Sequence, residues 1–267
     1  MLTSFLNFLN LILEKRSLII SMARREITTQ YVGSLLGFVW TFIHPMVMVC
    51  VFWFVFSVGF KSKPMGDVPF VVWLTAGMAP WFMFADVVLG SVGMIVANGH
   101  LIKKTLFPSQ ILPVIKLISG SVTHAIFLTV LLVLILFQQM PISFFYLQVF
   151  YYYICLIVLI LGVSWAVSAL NVFIRDIGQV VGVVVQVGFW ATPIFWDINM
   201  MPPKVQFFLK LNPMYYIVQG YRDTFISFKP FWLNLDLTLY FWVCTIAIFL
   251  AGASIFRKLK VQFADTL

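Results

Sequence analysis

Apolar residues gather into six long stretches separated by short polar segments, and this alternation predicts the main elements. The stretches run Gly37 to Phe60, Phe70 to Ala97, Ile111 to Phe137, Tyr146 to Asn171, Gly178 to Trp196 and Leu235 to Phe256. Each reaches or approaches the roughly 20 residues that carry a helix across about 30 Å of hydrocarbon. A helix is the predicted form, because it satisfies its own backbone N–H and C=O groups where no water can reach them. The expected fold is an all-α membrane protein of six transmembrane helices, forming one domain over residues 1–267.

Residues 1–30 carry a different pattern. Asn7, Asn10, Glu14, Ser17, Ser21, Arg24 and Thr28 recur at alternating spacings of three and four, which puts them on one helical face, and Phe5, Leu9, Ile12, Ile19 and Ile20 take the other. The pattern predicts an amphipathic helix lying in the membrane interface. A helix packed on its own bundle fits the same spacing. No small-residue cleavage site follows the apolar run, since Glu14, Lys15 and Arg16 stand there.

Two connecting segments hold more than charge. Residues 98–110, NGHLIKKTLFPSQ, set Leu101, Ile102, Leu106 and Phe107 beside Lys103 and Lys104, with Pro108 as a stop. Such a short amphipathic element suits docking in the groove of a soluble partner, with apolar anchors and steering charges. In residues 197–234, Pro202, Pro203, Asn212 and Pro213 break the chain into pieces too short to span a bilayer. These pieces, Lys204 to Leu211 and Met214 to Phe228, are expected as short helices dipping into the outer leaflet or sealing an outer mouth; an aromatic belt at the interface explains part of the same composition.

Composition fixes the solvent. With 62% hydrophobic and 10% charged residues, the chain has too little polar surface to cover a water-soluble globule. With the N-terminus placed inside, the inner segments hold Lys15, Arg16, Arg24, Arg25, Lys103, Lys104, Arg175, Arg257, Lys258 and Lys260. The outer segments hold Lys61, Lys63, Lys204, Lys210, Arg222 and Lys229. This bias predicts cytoplasmic termini. The formal charge of +8 then reads as orientation and affinity for anionic lipid headgroups, with no nucleic-acid partner.

Candidate chemistry is sparse. No phosphate-binding G-x-x-x-x-G-K-[ST] loop, H-E-x-x-H or G-x-S-x-G occurs, so no catalytic residue, metal or cofactor is expected in this chain. Cys50, Cys155 and Cys244 fall inside apolar stretches and read as packing residues. Asp86 lies about 16 Å from the inner end of its helix at 1.5 Å per residue, where a carboxylate needs a partner or a cavity. A structural polar contact is expected for it, and Lys116 is placed to snorkel toward the inner surface. His44 and His124 are expected as satisfied bundle residues. Phe38, Phe42, Pro45, Val49, Phe52 and Phe56 follow one helical stripe that suits lipid, a neighbouring helix, or a translocating molecule with C–H faces such as a sugar. Gly33 and Gly37, like Gly178 and Gly182, give the G-x-x-x-G spacing of close helix approach.

Several segments together resemble the membrane subunit of type-two ABC exporters, nearest to the polysaccharide branch that exports O-antigen, capsule or teichoic acid. They are RREITTQYVGSLLGFVWTFIHP (Arg24 to Pro45), IKKTLFPSQILP (Ile102 to Pro113), NVFIRDIGQ (Asn171 to Gln179), ATPIFW (Ala191 to Trp196) and LNPMYYIVQGYRD (Leu211 to Asp223). The resemblance implies a homodimer of six-span permeases in the bacterial inner membrane, paired with two copies of a cytoplasmic ATPase that binds ATP and Mg. It implies a polyprenyl-diphosphate-linked polysaccharide as substrate, O-antigen foremost, entering an aromatic-lined path near the interfacial helix and first span.

By the same resemblance, Phe38, Phe42, Phe52, Phe56, Trp190, Tyr215 and Tyr216 would line the path, and Arg24 and Arg25 would meet the pyrophosphate, as arginine forks grip phosphate oxygens. Leu101, Ile102, Lys103, Lys104, Leu106 and Phe107 would couple to the ATPase, and residues 197–234 would form the outer gate. Arg175 and Asp176 match the family's Arg-Asp pair, assigned to structure or ATPase contact. Two rivals remain: an exporter of drugs or small lipids, and an integral membrane enzyme acting on polyprenyl phosphates, for which Glu26 and His100 are the available acid-base groups.

Overall fold

The computed structural model describes residues 2–29, 34–61, 68–104 and 107–267, without the side chains of residues 2–6, 38 and 104. The expectations for Gly33, Lys63 and Leu106, and for the side chains of Phe5, Phe38 and Lys104, lie outside the described residues.

The described chain is helical from end to end, without a strand. Helices α1 (Leu2–Glu14) and α2 (Arg16–Thr29) lead into α3 (Trp40–Trp53), which ends in a π-helical turn over Phe54–Gly59. Next come α4 (Phe70–Val92), the short α5 (Met94–Ala97) and α6 (Gly99–Lys104), then α7 (Leu112–Phe137), α8 (Val149–Phe173) and α9 (Ile177–Ala191). Helices α10 (Pro203–Lys210), α11 (Pro213–Arg222), α12 (Leu235–Leu259) and α13 (Phe263–Thr266) complete the order.

Among the described residues, five helical stretches are long and apolar enough to cross a membrane: Trp40–Gly59, Phe70–Val92, Ser109–Phe137, Phe144–Phe173 and Phe231–Thr266. The expected fifth crossing, Gly178 to Trp196, is cut short. Helix α9 has 15 residues, about 22 Å at 1.5 Å per residue. Its end follows from Pro193, which pushes Thr192 out of helical geometry to φ −81°, ψ 132°. Thr192 closes the last turn by donating both its N–H (2.8 Å) and its hydroxyl (2.7 Å) to the Gly188 carbonyl.

Helix α4 is the centre of the bundle, with α3, α7, α8, α9 and α11 packed around it. Thr75, Ala76, Gly77 and Ala79 keep its surface narrow enough for this, and Val72, Leu74 and Met78 are wholly buried. Helices α8 and α12 form the tightest remaining pair. A methyl at Gly252 would run into the Gly162 carbonyl oxygen, so only glycine permits their approach.

The buried residues separate into two clusters. One joins Ile19 and Ala23 of α2 with Ile95, Leu112, Trp165, Phe256 and Phe263. It collects the ends of α2, α7, α8 and α12 next to residues 98–110, and α13 packs on α6 there. The larger cluster runs from α4 to the opposite end, through Trp73, Tyr152, Tyr216 and Phe241.

The N-terminal helix corrects one expectation. Hydrogen bonds from Lys15 N to Leu11 O and from Ile19 N to Lys15 O, both 2.9 Å, make α1 and α2 nearly continuous. Phe8, Ile12, Ile19, Met22 and Ala23 pack on the bundle, which agrees with a docked amphipathic face. Ile20 does not belong to that face: it is 62% exposed, with Leu13 at 65%, and these residues form a second apolar edge pointing away from the protein. The helix is therefore docked on the protein along one side and apolar toward its surroundings along another.

Candidate translocation surfaces and coupling face

The aromatic residues expected along a path separate into two groups. In the first, Phe52 and Phe56 of the α3 stripe meet Phe195 at 6.3 and 4.7 Å between ring centroids, and Phe52 meets Phe189 of α9 at 5.6 Å. Trp190 stands edge-on to Phe195 at 4.9 Å and is 55% exposed. Phe42 is exposed higher on the stripe, whereas Pro45 and Val49 turn inward and are buried. The result is a continuous aromatic surface between α3 and the end of α9. Its faces offer apolar, non-directional contact of the kind that C–H-rich molecules use.

Tyr215 and Tyr216 form the second group, on α11, with no ring contact to the first group among the described residues. Both are buried, and the Tyr216 hydroxyl lies 3.0 Å from the hydroxyls of Tyr151 and Thr238 while its ring stacks on Phe241 at 4.6 Å. Of the two short helices α10 and α11, α10 leaves Phe207 and Phe208 exposed, at 63% and 69%. Helix α11 instead packs into α4, α8 and α12.

Arg222 explains how α11 is held. Its guanidinium donates to the Pro193 and Ile194 carbonyls, each at 2.7 Å, and to the Trp73 carbonyl at 3.4 Å, with its carbon 3.4 Å above the Trp73 ring. Asn212 adds a bond from Nδ2 to the Thr192 hydroxyl at 2.9 Å. Non-helical backbone at membrane depth needs such partners, because each orphaned carbonyl there is costly. Sequence reading counted Arg222 only as an outer positive charge. The signal available was the pairing of a proline-broken ATPIFW with a YRD triplet, and the structure docks these two segments onto each other.

At the opposite end, Arg24 and Arg25 are exposed on α2 and make no ion pair among the described residues. The neighbouring Glu26 turns inward. Its Oε1 lies 3.3 Å from Lys116 Nζ, and Asp86 Oδ1 lies 3.2 Å from the same nitrogen. The Lys116 stem crosses Gly90, where a Cβ would collide with it. Asp86 thus has the structural contact expected. Lys116 does not snorkel: it is 4% exposed, because two carboxylates from α2 and α4 neutralise it in place. This triad ties the N-terminal helix to the central one, and only the Asp86 half of it was anticipated.

His124 is likewise a satisfied bundle residue. Its Nδ1 is 3.1 Å from the Ala79 carbonyl, which can only accept, so Nδ1 carries the proton and Nε2 accepts from the Tyr221 hydroxyl at 2.9 Å. His44, by contrast, is exposed on α3.

Residues 98–110 are less free than their amphipathic pattern implies. Ile102 and Phe107 pack against the inner cluster, and Gly99 lies beside Leu267. Gln110 is tied twice, its side chain taking a bond from Lys260 Nζ at 3.0 Å and its carbonyl one from Trp165 Nε1 at 3.2 Å. The exposed side chains among the described residues of this segment are His100 and Lys103, and Leu101 is half-buried.

A family model described as ABC-2 type transporter matches residues 17–226. The chain belongs to this family. The matched region takes in the described surfaces from α2 through α11 and leaves out α1, α12 and α13. Within the ABC-2 type transporters, the chain is 27% identical over 252 residues to the O-antigen export system permease protein RfbA of Klebsiella pneumoniae, covering 94% of this chain and 95% of that protein. Its identity to the protein of the same name from Myxococcus xanthus is 27%, with 94% and 96% covered. The polysialic acid transport protein KpsM of Escherichia coli is 22% identical, with 87% and 90% covered. These alignments span nearly the full length of both partners, so the likeness is one of whole ABC-2 chains.

Proposed function

We propose that this chain is the membrane-spanning subunit of an ATP-driven exporter that moves polyprenyl-diphosphate-linked polysaccharide, O-antigen foremost, across the bacterial inner membrane. The end-to-end likeness to permeases named for O-antigen export carries this reading. Two copies pair with two copies of a cytoplasmic ATPase, which binds the ATP and Mg. The α9 helix and the non-helical Thr192 to Trp196 segment together make the fifth of six crossings, so both termini lie in the cytoplasm beside residues 98–110.

The aromatic surface of Phe42, Phe52, Phe56 and Trp190 faces the path in this reading, and Phe38 continues it. A glycan slides over such faces because they hold its C–H edges without fixed hydrogen bonds. Arg24 and Arg25 take the pyrophosphate at the inner entrance, where they are exposed and free to fork onto phosphate oxygens. Leu101 and Lys103 receive the motion of the ATPase, with Lys104 and Leu106 in the same loop. Tyr215 and Tyr216 serve the outer end, where α10 and α11 form the gate. The rival enzyme reading loses support from Glu26, whose carboxylate is committed to Lys116.

The test is deletion and complementation in the source cell. Loss of the gene removes the surface polymer and leaves lipid-linked polymer in the cytoplasm; surface polymer that persists overturns the reading. Leu101→Asp with Lys103→Glu leaves a folded permease that no longer exports. Phe107→Asp is the wrong probe, since Phe107 packs in the subunit's own cluster.

A further inference from the structure

A cavity of about 920 Å³ opens at the end opposite residues 98–110, apart from the aromatic surface of α3 and α9. It falls within the roughly 300–1,000 Å³ of sites that hold small ligands. Its walls come from the segment after α9, from α11 and the π turn that follows it, and from the start of α12. The charges balance, with Asp197, Asp223 and Asp236 against Lys210, Arg222 and Lys229. Gln219, Asn199 and Asn234 stand between them, and Tyr215, Tyr216 and Phe231 supply aromatic surface.

Two buried polar groups in this wall have capacity to spare. Asp223 is 8% exposed; its Oδ1 accepts from Gln219 at 3.1 Å, while Oδ2 takes no protein hydrogen bond among the described residues. Burial raises its carboxyl above the usual carboxylate range, with the Gln219 bond and the Lys229 and Arg222 charges pulling it back down. Tyr215 is 6% exposed, and its hydroxyl also has no protein partner among the described residues. Both oxygens reach the open volume of the cavity although their residues are buried, so a ligand there would take the place of water on them.

The lining selects the class of ligand. A phosphate or phospholipid headgroup asks for a surplus of cations, and an apolar drug asks for an apolar wall; this cavity offers neither. Balanced charge, carboxylate and amide acceptors and donors, and aromatic edges together suit an uncharged molecule dense in hydroxyls. We infer that the cavity is a holding site for a short run of sugar residues on the outer side of each subunit, with Asp223 and Tyr215 receiving and donating to sugar hydroxyls. This rests on the glycan-export reading above and adds a site within a single subunit to it.

The experiment uses the complete complex with its ATPase in liposomes, with Cys50, Cys155 and Cys244 replaced by Ser and a single reporter, Ser227→Cys, on the cavity wall. A membrane-impermeant maleimide reads its accessibility, and the probe is short oligosaccharide freed by mild acid from the cell's own exported polymer. At a tenfold excess over the dissociation constant, oligosaccharide slows alkylation about tenfold by mass action. Asp223→Asn, which keeps the Gln219 bond and relieves a buried charge, raises the concentration needed about ten- to a hundredfold, as expected for losing a hydrogen bond to a charged group.

Asn199→Cys on the facing wall is the second reporter, and unchanged melting of each variant shows that it folds. Alkylation of both reporters that oligosaccharide never slows, in a complex that still exports polymer, overturns the site and leaves the export reading standing. Protection by glycerol 3-phosphate in place of oligosaccharide also overturns it, in favour of a lipid headgroup. Surface polymer that survives gene deletion strikes the export reading instead.

Discussion

Helix α3 with its π turn and helix α4 look alike as sequence and occupy opposite places in the molecule. The stretches Trp40–Gly59 and Phe70–Val92 have 20 and 23 residues and mean hydropathies of 2.0 and 1.5, yet their buried shares are 11% and 72%. The more hydrophobic of the two is the less buried. In a membrane protein the surroundings are as apolar as the core, so hydropathy reports that a helix is in lipid and not where it sits in the bundle. What separates the two is how many neighbours their small residues admit. Helix α4 places Thr75, Ala76, Gly77 and Ala79 where neighbours converge, while α3 buries only the narrow stripe of Thr41, Pro45 and Val49 and leaves Trp40, Phe42, Met46, Trp53 and Phe54 exposed. Helix α3 thereby keeps a broad apolar face for lipid, for a second copy or for cargo.

Substitutions sharpen this contrast. Leu74→Ala removes a fully buried side chain from α4 and costs about 2–5 kcal/mol, measured by denaturation of the purified protein in detergent. A loss under half a kcal/mol would show that α4 is not the centre. Lys116→Met leaves the carboxylates of α2 and α4 uncompensated and costs about 3 kcal/mol, at the low end for a broken buried pair because Asp86 is 42% exposed. Adding Glu26→Gln and Asp86→Asn restores most of that stability. If the triple variant is as unstable as the single one, the charges are not what docks the N-terminal helix.

Tyr221→Phe strips the partner from His124 Nε2, with an expected cost of about 1–3 kcal/mol for a buried acceptor left open. The smallest effect belongs to α3. Met46→Ala, on its exposed face, changes the stability of the isolated subunit by less than about 0.5 kcal/mol. The same variant is to be followed by crosslinking and export assays, because a residue idle in subunit stability but needed for export marks a surface used between copies or by cargo.

The candidate site was legible in part, and the divide has a physical cause. Phe52 and Phe56 were visible as a stripe, since helical spacing alone puts them on one face. Their partners Phe189 and Phe195 were not, because nothing local links positions more than a hundred residues apart. The amphipathic loop at 98–110 was visible for the same reason as the stripe, but a pattern of apolar residues does not tell whether they wait for a partner or, like Ile102 and Phe107, pack on their own subunit.

By itself the sequence determined the solvent, the helical state and the order of the elements. Those follow from local requirements: a chain with 10% charged residues must face lipid, and its backbone must then close its own hydrogen bonds. Pro193 ended α9 for a reason equally local. Only the tertiary structure decided which helix became the core and what the buried charges are for. Lys116 finds Asp86 30 residues away, and Arg222 reaches Trp73 across 149. A buried charge takes its meaning from the partner that pays its desolvation, and that partner is chosen by packing.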